Sequence, residues 1–151
     1  MHINTLRYQT AGSAEIDLLL ELMEAYYTYD GLSFHAGEAR IALQQLVGDD
    51  TLGRAWLIVK DGIPVGYMVL TFWYSLEFHG RAAFVDELFI REEHRGRGVG
   101  REALRFAGEF CSERGIKALR LEVENTNTKA RHLYEREGFK KHERSLMTKW
   151  I

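Results

Sequence analysis

The run His94-Arg95-Gly96-Arg97-Gly98-Val99-Gly100-Arg101 constrains this chain more than any other stretch. Its alternating glycines, framed by arginines, follow an apolar strand-like segment, Ala82 to Ile90, and open a helical pattern. Glycine removes the Cβ that would keep a ligand off the main chain. A helix N-terminus adds unpaired N–H donors and a partial positive charge. Strand, glycine turn and helix in that order predict an α/β domain with a cradle for a pyrophosphate.

Spacing separates the phosphate loops. A nucleotide-binding G-x-x-x-x-G-K-[ST] loop is absent. A dinucleotide fingerprint starting at Gly96 and Gly98 would put its third glycine on Arg101. What remains is Arg95-x-x-Gly98-x-Gly100. A second block follows in order: Asn127, Ala130, Leu133, Tyr134, Gly138 and Phe139, spaced N-x-x-A-x-x-L-Y-x-x-x-G-F. Together the two blocks resemble the GNAT superfamily of N-acetyltransferases, with detailed likeness from Ala82 to Phe139.

That resemblance implies one N-acetyltransferase domain over residues 1–151 and acetyl-CoA as cosubstrate. The implied fold is α/β: a mixed, mostly antiparallel sheet with splayed fourth and fifth strands and helices on both faces. The main chain of Gly96, Arg97, Gly98, Val99, Gly100 and Arg101, with the Arg95 and Arg97 side chains, would take the pyrophosphate. Leu88, Phe89 and Ile90 would pair with the pantetheine arm and supply an oxyanion donor, with Asn127 and Ala130 beside the arm. Tyr134 matches the tyrosine that faces the thioester sulfur. A thiol has a pKa of about 8.5 and a phenol about 10, so full proton transfer to the thiolate is uphill by roughly 2 kcal/mol. Tyr134 is therefore read first as a hydrogen-bond donor.

An acceptor ammonium must lose a proton, at roughly 4–5 kcal/mol for a lysine-like amine at pH 7. Asp86 and Glu87 are the candidate bases. Strand alternation sends them to opposite faces unless a bulge intervenes. Asp86 is favoured narrowly, by its position in related enzymes. Tyr26, Tyr29, Asp30 and His35 surround a helix break, and Trp73 and Tyr74 end a strand; these are the candidate acceptor-binding residues.

Composition narrows the acceptor. Residues 1–60 carry 8 acids and 4 bases, whereas residues 61–151 carry 14 acids and 16 bases. An acidic start suits a cationic acceptor. The aromatic end Phe72-Trp73-Tyr74 and the Asp86-Glu87 pair look like the diamine and polyamine branch, which implies a small primary amine and a homodimer. Two alternatives stay open: acetylation of a protein lysine or N-terminus, and a non-catalytic acetyl-CoA-binding module. The net charge of −2 gives no nucleic-acid footprint. No apolar run nears the ~18 residues of a membrane span. The histidines and the lone Cys111 show no metal-ligand spacing. Cys111 reads as core, and a single cysteine without an export signal fits a cytoplasmic protein.

Periodicity predicts strands over 3–8, 55–59, 65–74, 82–90, 116–123 and 139–149. It predicts helices over 14–29, capped by Ser13, and over 37–47, 99–114 and 127–137. Asp61-Gly62 signals a hairpin, and Gly115 a helix C-terminus.

Overall fold

Asp61 and Gly62 set the register of the sheet. Both take positive φ, 49° and 80°, which fits a two-residue turn between right-twisted antiparallel strands. The turn joins β2 (Gly53–Lys60) to β3 (Ile63–Ser75), with Lys60 opposite Ile63. The computed structural model describes residues 5–151. In it β1 (Leu6–Thr10) and β4 (Gly80–Ile90) extend the antiparallel meander. β5 (Leu119–Arg120) then joins β4 in parallel, through Ala83 and Phe84 alone. Strand order is sequential from β1 to β5.

Side-chain alternation divides the interior into two cores. Leu57, Val59, Tyr67, Val69 and Phe89 pack with Leu19, Leu22 and Met23 of α1 (Ile16–Tyr29) and Leu43 of α2 (Ala36–Gly48). Trp56, Ile58, Met68, Leu70, Ala83 and Val85 pack on the opposite face. There they meet Val99, Ala103, Leu104, Ala107, Phe110 and Cys111 of α3 (Val99–Glu113). Those six are the apolar face that the helical period picks out. Gly115 (φ 66°) closes α3 as expected: its N–H donates to the Ser112 carbonyl, and the Ile116 N–H to the Cys111 carbonyl at 2.9 Å. α4 (Thr128–Arg136) lies on the α3 side, where Tyr134 packs against that core.

Several expectations are corrected. The first strand runs Leu6–Thr10 rather than 3–8, and residues 3–4 lie outside the described residues. Ser13 does not cap the first helix. The Gly12 N–H donates instead to Glu15 Oε2 at 2.8 Å, ahead of a 3-10 turn over Ser13–Glu15. The fifth strand shrinks to Leu119–Arg120, and residues 139–149 form no strand. The consecutive Lys140, Lys141, His142, Glu143 and Arg144 offer no apolar face to bury, and Arg144 pairs bidentately with Glu77 at 3.0 and 3.1 Å. β5 leaves β4 at once, and that early parting leaves the far half of β4 with an open edge.

Candidate active site

The ladder between β3 and β4 skips one residue. Val69 lies opposite Glu87 and Leu70 opposite Val85, so Asp86 has no partner across the sheet. This is a β-bulge, and it flips the parity of the strand. Before it Ala83 and Val85 face α3; after it Phe89 faces α1. The bulge also brings Asp86 and Glu87 to the same cleft in place of opposite faces. That cleft, about 390 Å³, lies between α1, α2, β3 and β4. Its walls include Met23, Leu43, Leu46 and Val69, and Ser33, His35, Glu38 and Thr71 add polar groups.

The two carboxylates differ in their surroundings. Glu87 accepts hydrogen bonds from Tyr27 Oη (2.7 Å) and Tyr67 Oη (2.9 Å), one on each oxygen. Burial, with Asp86 beside it, outweighs the pull of the two phenols and leaves its carboxyl raised. Asp86 accepts no protein hydrogen bond among the described residues and keeps solvent access, yet surrounding protein raises its carboxyl above the ordinary range. Burial also raises the Tyr27 and Tyr67 phenols, so both stay protonated donors. Tyr26 packs on Tyr67 and Phe89 beside them, its phenol pushed up to about 12 by burial, with Asp30, Glu87 and Tyr134 adding to the rise.

Beyond the bulge, β4 has an open edge. The Arg91 N–H donates across to the Val65 carbonyl of β3 at 2.8 Å. Alternation then points the main-chain groups of Phe89 at β3 and those of Leu88 and Ile90 at the side where β5 has departed. The Ile90 carbonyl is taken by Arg95 Nε at 2.8 Å. The Leu88 N–H and C=O and the Ile90 N–H face no strand.

The glycine run lies next in the chain. None of the amides from Gly96 to Arg101 donates to a protein acceptor among the described residues. Gly96 and Gly98 hold φ of 72° and 79°, and Gly98 is the residue on which α3 begins. A Cβ at Gly96, Gly98 or Gly100 would meet no atom within 4 Å. Gly100 is the informative one. A glycine inside a helix costs about 1 kcal/mol relative to alanine, and the fold itself has no packing need for it. Bare amides at a helix start, on a side kept clear of side chains, fit a diphosphate.

Tyr134 is fixed from its own main chain. Gly138 takes φ 93°; its N–H donates to the Glu135 carbonyl, and the Phe139 N–H to the Tyr134 carbonyl at 3.0 Å. The Phe139 ring meets the Tyr134 ring edge-on at 6.1 Å. This closure of α4, with its apolar contact, is the physical content of the L-Y-x-x-x-G-F spacing. Burial raises the Tyr134 phenol, and no protein group hydrogen-bonds its hydroxyl among the described residues.

Residues 16–139 match the profile of the Acetyltransferase (GNAT) family. The chain belongs to the GNAT acetyltransferases. It is 34% identical over 93 residues to streptothricin acetyltransferase of Streptomyces lavendulae, across 61% of this chain and 47% of that one. It is 32% identical over 74 residues to thialysine N-epsilon-acetyltransferase of Bos taurus, across 49% and 43%. The chain thus matches about half the length of these relatives. An integron cassette protein from the mobile metagenome of Cole Harbour salt marsh has the same fold. It superimposes with a TM-score of 0.86 at 33% identity, covering 95% of this chain and 90% of that one.

Within this GNAT domain the expected residues divide. Asp86 and Glu87 share the cleft, and among the described residues the Leu88 N–H and C=O, the Ile90 N–H and the Gly96–Arg101 amides have no protein partner. Phe89 is buried in the α1 core, with its main chain turned to β3. Arg95 folds back, its guanidinium 3.9 Å over the Tyr29 ring. Arg97 is exposed without an ion-pair partner among the described residues, while Arg101 pairs with Glu137. Asn127 Oδ1 caps α4 by accepting from the Ala130 N–H at 3.2 Å. Of the aromatic set, Tyr26 borders Glu87, whereas Trp73 packs on Phe84 and Tyr74 is exposed. Tyr26, Tyr29, Asp30, Trp73 and Tyr74 do not line the cleft; His35 does. Sequence reasoning passed over Tyr27, Tyr67 and Glu38. A tyrosine amid the apolar run of β3 is the signal for Tyr67, because a buried phenol needs a partner.

Proposed function

We propose that this protein moves the acetyl group of acetyl-CoA directly to a small cationic primary amine, such as a diamine or polyamine, seated in the Asp86–Glu87 cleft. The bulge at Asp86 carries this reading, since it sets both carboxylates beside the open strand edge. Bound acetyl-CoA supplies an activated acyl group. The amides of 96–101 would hold its diphosphate, and the Leu88 and Ile90 edge would pair with its arm.

The residues then divide the remaining work. Glu87, with a phenol on each oxygen, is a carboxylate held in one place that orients the incoming ammonium. Asp86, unclaimed by donors and raised above the ordinary carboxylate range, accepts the proton that the amine must lose. An N–H on the open edge stabilises charge developing on the acyl oxygen; removal of one such donor elsewhere costs about 2.7–4 kcal/mol. Tyr134 donates to the departing sulfur. Its raised phenol keeps its own proton, so it stabilises the charge without ceding the hydrogen.

Apolar walls leading to an acidic end suit a methylene stem bearing an ammonium. The streptothricin and thialysine relatives, by name, acetylate amine-bearing small molecules, which supports the class. We also propose a homodimer: Leu146, Met147, Trp150 and Ile151 are exposed apolar groups that a second copy would cover. Mass-spectrometric detection of acetylated product over a panel of amines, aminoglycosides and lysine peptides tests the acceptor. Turnover of small amines is expected. Turnover of peptides alone overturns the acceptor class, and binding of acetyl-CoA without turnover of anything points to a binding module. Sedimentation of a monomer at micromolar concentration would overturn the dimer.

A further inference from the structure

The L-Y-x-x-x-G-F spacing around Tyr134 leaves Glu135, Arg136 and Glu137 unexplained, and one of them is unusually placed. Glu137 follows the last residue of α4, yet its side chain is only 8% exposed. Arg101 Nε reaches one carboxylate oxygen at 2.6 Å. Arg105 Nε reaches the other at 2.9 Å, and Arg105 Nη2 returns to the first at 3.3 Å. The carboxyl is covered by the two arginine side chains rather than by depth in the core. The hydrogen bonds from Arg105 and Arg101, with their charges, lower its carboxyl below the ordinary carboxylate range. Arg101 and Arg105 stand one turn apart on the same face of α3, which makes them a matched pair of donors.

This contact ties together two parts of the site that are otherwise loosely joined. α4 has no fully buried residue, so packing alone holds it weakly against the body of the protein. Its closure at Gly138 and Phe139 fixes Tyr134 within α4 but does not fix α4 on α3. Arg101 is also the last residue of the run with unclaimed amides. One carboxylate therefore bridges that run to the end of the helix that carries Tyr134.

We propose that Glu137 is a positioning residue: through Arg101 and Arg105 it sets the Tyr134 hydroxyl relative to the glycine run. The proposal rests on the acetyl-transfer reading, with Tyr134 as donor to the leaving sulfur. A double-mutant cycle on the full chain tests it, because residues acting through one another do not add. Glu137→Ala and Glu137→Gln are each made in wild type and in Tyr134→Phe. For each, kcat, KM for acetyl-CoA, calorimetric Kd for CoA and melting temperature are measured. The Glu77→Ala variant, which breaks the exposed pair with Arg144, serves as the control for loss of an ion pair.

In wild type, either Glu137 change is expected to lower kcat by about 10-fold to 100-fold, the scale of a small misplacement near the chemistry. In Tyr134→Phe the same change causes no further loss, and Glu77→Ala leaves kcat alone. Equal losses in both backgrounds, or an unchanged kcat, overturn the proposal while leaving acetyl transfer intact. An unchanged kcat in Tyr134→Phe instead removes Tyr134 from the mechanism, and the positioning role with it. Should Glu137→Ala fail to fold, Glu137→Gln, which keeps the shape and loses the charge, decides between these outcomes.

Discussion

The two halves of β4 have the same sequence neighbourhood and different fates. From Gly80 to Val85 the strand is paired with β3, and it gains β5 at Ala83 and Phe84. Ala82 and Ala83 are completely buried there. From Asp86 to Ile90 it has β3 on one side only. The first half spends its polar main chain on the sheet and its side chains on the core. The second half leaves the Asp86 carboxylate, the Leu88 N–H and C=O and the Ile90 N–H available. A single unpaired residue, Asp86, marks the boundary. A functional edge can thus be cut into a structural strand by one inserted residue and one early-departing neighbour.

The largest expected effect is at the loop that continues the open half. Gly98→Asp places a side chain at φ 79° and a carboxylate among the bare amides. Calorimetry should find affinity for acetyl-CoA lowered by at least about 100-fold, given unfavourable geometry and like-charge repulsion together. Wild-type affinity would show that the cradle lies elsewhere. Next comes the bulge residue. Asp86→Asn should lower kcat/KM by about 10²-fold at neutral pH and by less at high pH, where free amine is plentiful. Because the Asp86 carboxyl is raised, it is protonated at a higher pH than usual. The wild-type rate should therefore fall as pH drops through a value above the usual ~4, and the variant should lack that limb. A loss of equal size across the pH range would make Asp86 an orienting group only.

A smaller change tests the support of Glu87. Tyr67→Phe removes a donor 2.9 Å from the carboxylate without altering the buried ring. A hydrogen bond to a charged group contributes about 1.5–3 kcal/mol, so urea titration should show a loss of that order, with a weaker fit for the amine. An unaltered KM for amine would leave Glu87 without an orienting role. The closed half supplies the contrast. Ala83→Val overfills the α3 core and should cost about 1–3 kcal/mol of stability while kcat stays as it was. A kinetic defect of the size expected for Asp86→Asn would erase the distinction between the two halves.

Much of this layout is written locally. The α3 face, the Asp61-Gly62 hairpin and the Gly115 and Gly138 closures depend on residues within a few positions of one another, and the chain spells them out. The glycine run and the Tyr134 block were legible for the same reason. Features that need a distant partner were not. Whether Asp86 bulges depends on the register against β3, and whether residues 116–123 make a long strand depends on how far β5 follows β4. The Tyr27 and Tyr67 clamp joins residues 60 and 20 positions from Glu87. Tyr27 falls within the helix predicted over 14–29, and helical period reports direction and not what a hydroxyl reaches. Arg95 matched its motif position and Arg101 ended the glycine run, but their side chains are engaged by Tyr29 and Glu137, groups that no local pattern brings near.

Cys111 has a practical bearing on enzymology. It is buried on α3, and burial pushes its thiol up, so it is held as the unreactive acid form. Chromogenic disulfide reagents should leave the native protein unlabelled. In a continuous colorimetric assay every sulfhydryl counted would then come from coenzyme A set free by turnover, with no background from the enzyme itself.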